Sequence, residues 1–202
     1  MCQVRSSGDS RLVPNSARLW HNDGRVKPER HNQSRPPLDP EALERLALFY
    51  VGRYATSGAK LKSYLSRKLR ERGWEGRAPD LDLLVDRFKS LGYINDGAFA
   101  EARAASLQRR GFGERRVAQA LHAAGIGKED AADANAQARD GAMTAALRFA
   151  ERKRVGPFAA AEQDREARQK AFAAMLRAGH SMDIVRQVLA ALPGEFPDSD
   201  NI

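Results

Sequence analysis

Residues 65–73 read Leu-Ser-Arg-Lys-Leu-Arg-Glu-Arg-Gly, residues 117–125 Val-Ala-Gln-Ala-Leu-His-Ala-Ala-Gly, and residues 171–179 Ala-Phe-Ala-Ala-Met-Leu-Arg-Ala-Gly. Aligned on Gly73, Gly125 and Gly179, they recur at a period of about 50 residues. Four positions before each glycine stand Leu69, Leu121 and Met175, and eight positions before stand Leu65, Val117 and Ala171. Residues at such spacings share one helix face, so one buried stripe is written three times, each copy stopped by glycine.

Working outward, the same order of break, helix, glycine and helix surrounds each copy. Unit one, residues 39–92, opens at Asp39-Pro40-Glu41, where Asp caps a helix and Pro suits its first position. Leu43, Leu46, Ala47, Tyr50 and Tyr54 share a face up to the break Thr56-Ser57-Gly58. Trp74, beyond the glycine, is placed to fold back on the core. Asp80 caps a third helix carrying Leu84, Val85, Phe88 and Leu91, which stops at Gly92.

Unit two, residues 93–141, starts at Tyr93-Ile94-Asn95-Asp96, with Asn95 as cap and Ile94 and Phe99 at the spacing of a hydrophobic staple. Its first helix presents Phe99, Ala102 and Ser106 up to Gly111-Phe112-Gly113, and an Ala-rich third helix follows from about Glu129. Unit three, residues 142–193, carries Ala146, Phe149 and Ala150, a break at Gly156-Pro157, then Phe172, Met175 and Leu176. After Gly179-His180 it closes with Ile184, Val185, Val188 and Leu189. The expectation is an all-α fold, an elongated array of three tandem three-helix repeats.

Residues 1–38, rich in Arg, Ser, Asn, Gly and Pro, read as a disordered basic tail, and residues 194–202 as a disordered C-terminus. The tail holds seven Arg/Lys against three Asp/Glu within a net charge of +8. Such a charge favours nucleic acid or acidic protein surfaces as partners without naming one. No run approaches the ~18 apolar residues of a membrane span, and no apolar segment follows the basic N-terminus as in a secretory signal. Cys2 is the single cysteine, which excludes an internal disulfide and suits a reducing compartment. A soluble, cytoplasmic protein is expected.

Reactive chemistry is hard to find. Gly52 to Lys60 faintly resembles a phosphate loop, but five residues separate Gly52 from Gly58, Ala59 precedes Lys60, and Leu61 stands where Ser or Thr would be. An interhelical turn explains the stretch better. His21, His31, His122 and His180 are too far apart in sequence for a ligand set, and Asp80, Asp82 and Asp86 suit capping and solubility better than acid–base work. The chain is therefore expected to be no enzyme, with no catalytic residue, cofactor or metal, and to act by binding.

Surface cations remain. Lys60, Lys62, Arg67, Lys68, Arg70 and Arg72 crowd the middle helix of unit one, Arg109, Arg110, Arg115 and Arg116 flank the break in unit two, and Arg152, Lys153 and Arg154 fall at the equivalent break in unit three. A solvated face would account for any one of them; as a recurring set they are candidates for contact with a partner or DNA.

The run Leu91 to Ala100, with Gly92, Tyr93, Asn95, Asp96 and Phe99, is followed by Arg109-Arg110-Gly111-Phe112-Gly113, Arg116-Val117, Leu121 and Gly125-Ile126. This ordered set resembles the RecX family of RecA regulators. Gly73-Trp74 upstream and Gly179 with Ile184 and Val188-Leu189 downstream extend the likeness over about residues 41–192. Asn95 stands where the family more often has Asp, and either side chain caps a helix. The resemblance implies binding to RecA and its filament on single-stranded DNA, with restraint of ATPase, strand exchange and the recombination and SOS activities that depend on them. Single-stranded or duplex DNA is a further expected partner. The alternative from the same residues is an autonomous helix-turn-helix-like DNA-binding protein.

Overall fold

Six of the nine described α-helices begin where a side chain accepts from their free N–H groups. Asp39, Ser57, Asp80, Asn95, Asp164 and Ser181 each accept from a first-turn amide, for example Asp39 from Ala42 at 2.7 Å and Asn95 from Ala98 at 2.9 Å. The computed structural model describes residues 36–196. Most of the basic tail, with Cys2, His21 and His31, and the last six residues of the chain lie outside the described residues. The helices are α1 (Pro40–Arg53), α2 (Gly58–Arg72), α3 (Leu81–Ser90), α4 (Asp96–Arg109), α5 (Glu114–Ala123), α6 (Ala132–Asp140), α7 (Ala142–Lys153), α8 (Arg165–Arg177) and α9 (Met182–Ala190). A 3-10 turn at Gly156–Phe158 lies between α7 and α8. No described helix is long and apolar enough to cross a membrane.

Four helix ends follow one scheme. After Gly92, Gly111, Gly125 and Gly179, all at positive φ, the next residue turns back and donates its amide to the carbonyl five positions earlier. The pairs are Tyr93 to Phe88, Phe112 to Leu107, Ile126 to Leu121, and His180 to Met175, at 3.0–3.3 Å. Phe112, Ile126 and His180 are thereby thrown inward, while Tyr93 stays exposed beside the Phe88 ring.

Three separate apolar clusters result, one per repeat. Leu43, Ala47, Leu61, Leu65, Val85 and Phe88 form the first, and Trp74 packs partly buried against it. Ala100, Ala104, Leu107, Val117, Leu121 and Ala138 belong to the second; Met143, Phe149, Met175, Val185 and Val188 to the third. Phe112 touches the second and third clusters alike.

The structure departs from the sequence reading at three places. Leu38, assigned to the tail, has no exposed surface; its N–H donates to Gly73 at 3.0 Å and its carbonyl accepts from Glu75 at 3.4 Å, so the folded part begins before Asp39. Ile94 packs into the first core and Phe99 against the second, so their spacing serves two repeats rather than one staple. On α4 the buried stripe is Ala100, Ala104 and Leu107, while Ala102 is exposed. Phe99 dominates a pattern read by hydrophobicity, yet small residues line the close approach of α4 to α6.

Adjacent repeats join by one device used twice. Ser57, the N-cap of α2, donates its Oγ–H to the carbonyl of Ala124 at the end of α5, at 2.6 Å. Gly113, the N-cap of α5, donates its N–H to the carbonyl of Ala178 at the end of α8, at 3.0 Å. The middle helices thus meet end to start, the negative end of each facing the positive end of the preceding repeat's helix. A methyl on Gly125 would lie 2.3 Å from Ala59 Cβ, and one on Gly179 would lie 2.5 Å from the Arg116 amide nitrogen. Among the described residues no repeat precedes Gly73; Leu38 fills that role, and the Arg72 guanidinium holds the Pro36 carbonyl at 2.9 Å.

Candidate functional site

Two ionisable groups lock these joints. Asp96, 7% exposed, accepts the Gly58 N–H at 2.9 Å and the Lys89 ammonium at 2.8 Å, tying α4 to the start of α2 and the end of α3. Its hydrogen bond raises the Lys89 pKa above the ordinary lysine value against the opposing effect of burial. The amide at the start of the loop-like Gly58-Ala59-Lys60 is therefore already held by a carboxylate. His180, 1% exposed, places Nε2 3.2 Å from the Gly111 carbonyl, while Nδ1 has no hydrogen-bond partner among the described residues. Burial holds this imidazole below its ordinary pKa.

Beside the joint between the first two repeats, a half-open cleft of about 510 Å³ lies over α4 and α5. Lys60 from α2, Arg103 from α4, Arg110 after it and Arg116 from α5 line it, with Leu107, Phe112 and Ala120 as apolar floor and no carboxylate among the lining residues. None of the four cations forms an ion pair with another described residue. Lys60 Nζ sits 4.8 Å above the Phe99 ring, and the Arg110 guanidinium 5.3 Å above Phe112, so aromatic faces hold both cations in place of acids. Such a cleft suits an anionic group.

The other predicted cations are placed differently. Lys62 pairs with Asp82, with a 2.7 Å contact to Oδ2, and Arg67 and Lys68 share Glu71 at 3.6 and 2.6 Å. Hydrogen bonding from Lys68 lowers the Glu71 pKa. Arg72 is committed to Pro36, Arg152 lies 5.8 Å from the Phe149 ring, and Arg154 closes α7 in the left-handed conformation at φ 54°. Arg70, Arg109, Arg115 and Lys153 are exposed without joining the cleft. Arg103 escaped the sequence reading although it precedes Arg110, the residue that caps α4, by seven positions, about two helical turns. Among the described residues no group of His, Cys, Asp and Glu is arranged to hold a metal ion.

Comparison with known proteins places this geometry. Residues 95–134, from the Asn95 cap through α4 and α5 into α6, match the model of the second three-helix domain of RecX. The chain is 33% identical over 176 residues to the regulatory protein RecX of Myxococcus xanthus, covering 83% of this chain and 94% of the relative. The chain belongs to the RecX family. A second RecX, from Agrobacterium fabrum, is 29% identical over 156 residues, 75% of this chain and 84% of that protein. The crystal structure of RecX from Lactobacillus salivarius superposes with a TM-score of 0.56 at 19% identity, covering 74% of this chain and 94% of that one, a likeness of fold. The RecX match spans Arg103, Arg110 and Arg116, so most of the acid-free cleft lies on the segment that identifies the family.

Proposed function

We propose that this protein binds RecA and the RecA filament on single-stranded DNA, and modulates, mainly by inhibition, its ATPase, strand exchange and dependent SOS activities. The observation that carries the reading is the likeness to a named regulatory RecX over 94% of that protein's length. It acts by binding, without catalysis. The acid-free cleft of Lys60, Arg103, Arg110 and Arg116 supports contact with a polyanionic filament, and tandem repeats suit a partner that itself repeats. Two of the middle helices are closed to the role of a helix-turn-helix recognition helix. A recognition helix enters the major groove by its N-terminal residues, but the start of α5 is covered by Ala178 and Gly179 and the start of α2 by Ala124.

Titration into RecA, single-stranded DNA and ATP tests the reading. Hydrolysis and strand exchange are expected to fall as the protein approaches equimolarity with RecA; unchanged rates at equimolar protein would overturn it.

A further inference from the structure

The acid-free cleft opens onto α2, and α2 leads from it to a second basic surface of different chemistry. Lys60, Tyr64, Arg67 and Lys68 are spaced as one helix stripe, about 12 Å long at 1.5 Å per residue. Tyr64 stacks on Tyr50 with centroids 4.3 Å apart, and Tyr50 lies 5.3 Å from Tyr54. Phe49 and Tyr54 stand 60% and 50% exposed and, with Tyr64, Arg67 and Lys68, line an open groove. The Arg67 and Lys68 charges sit 5.7 and 5.9 Å from the Tyr64 ring, and among the described residues they share one carboxylate partner, Glu71, which leaves the group net positive.

We propose that a single nucleic-acid strand runs along this face, its phosphates in the cleft and its bases against Phe49 and Tyr54. The inference rests on the proposed function in taking this basic surface as the side that meets the DNA-bearing filament, and it names the ligand of that surface. An acidic protein surface would pair with the cations but has no use for ring faces left in water. A duplex offers phosphates but hides its bases. Exposed aromatics interleaved with cations are what a strand with free bases needs, because every base has a face to stack.

The test is fluorescence anisotropy of labelled oligo(dT) with the full chain across a salt series. Oligo(dT) is expected to bind more tightly than a duplex of equal length. Arg103→Glu with Arg110→Glu should weaken binding by at least about tenfold and reduce the salt slope by about one to two. Phe49→Ala with Tyr54→Ala should weaken it at least about thirtyfold with the salt slope unchanged. All four residues are exposed, and circular dichroism verifies that the variants stay helical. Duplex binding as tight as oligo(dT), wild-type affinity in the aromatic variant, or equal affinity for polyglutamate would overturn the proposal. The RecA hydrolysis assay separates the two readings. Inhibition that persists without strand binding sinks this proposal alone, whereas strand binding with unchanged RecA hydrolysis sinks the proposed function alone.

Discussion

The Ser57 hydroxyl donates to the Ala124 carbonyl at 2.6 Å across a separation of 67 residues, while its oxygen accepts the Lys60 amide at 3.3 Å. One buried side chain therefore caps α2 and holds the end of α5. Ser57→Ala removes both bonds and leaves a buried carbonyl unpaired. A loss of about 1–3 kcal/mol is expected in urea unfolding; a loss below a few tenths would mean that the joint contributes nothing.

Asp96 separates two variants that a plain cap would not. Asp96→Ala orphans the Gly58 N–H and should cost about 1–3 kcal/mol. Asp96→Asn keeps an acceptor for that amide and should lose less. Equal losses would assign the whole effect to the ion pair with Lys89.

The three glycines in register should respond unequally to alanine. Each has positive φ, 80° at Gly73, 70° at Gly125 and 93° at Gly179, and Gly73, at ψ 175°, lies in an extended region that glycine alone enters readily, so alanine meets about 1–3 kcal/mol of backbone strain. At Gly125 and Gly179 the methyl also meets the preceding repeat, adding about 1–3 kcal/mol. Thermal unfolding in which Gly125→Ala and Gly179→Ala lose no more than backbone strain alone would contradict the joint geometry.

Stability should depend on His180 in mild acid. Its folded pKa lies below the unfolded value near 6.5, so the unfolded chain takes up a proton first. The contribution is intact above about pH 6.5 and is lost as the pH falls through the depressed folded pKa. His180→Leu should flatten this part of the stability profile; an unchanged slope would place the titration elsewhere.

Truncation locates the true start of the fold. Removing residues 1–35 should leave urea unfolding of the remainder unchanged, whereas Leu38→Ala should cost about 2–5 kcal/mol, as for other fully buried leucines. Equal stability of Leu38→Ala and the parent would place Leu38 outside the core.

The repeat was legible because helix periodicity and helix stops are local: Leu65 and Leu69 before Gly73 announce a face and its end without any distant partner. The caps at Asp39, Asp80 and Asn95 were legible for the same reason. Asp96 was not, since a carboxylate in a first helical turn looks like a cap partner whether it faces water or the amide of Gly58. Leu38 was missed because Pro36-Pro37 beside it reads as tail. Arg103 was missed because one arginine on a helix looks solvated until Lys60 and Arg116 are seen to converge on the same cleft.

The sequence by itself determined the helices, their ends, the three-fold repetition and the family. Only the tertiary structure decided that the middle helices meet end to start, that Leu38 closes the first repeat, and that four of the many cations share one cleft free of acids. The physical reason is range. Periodicity and capping act within a turn or two of helix, whereas a hydrogen bond from Ser57 to Ala124, or cations brought together from three helices, exist only once the repeats have packed.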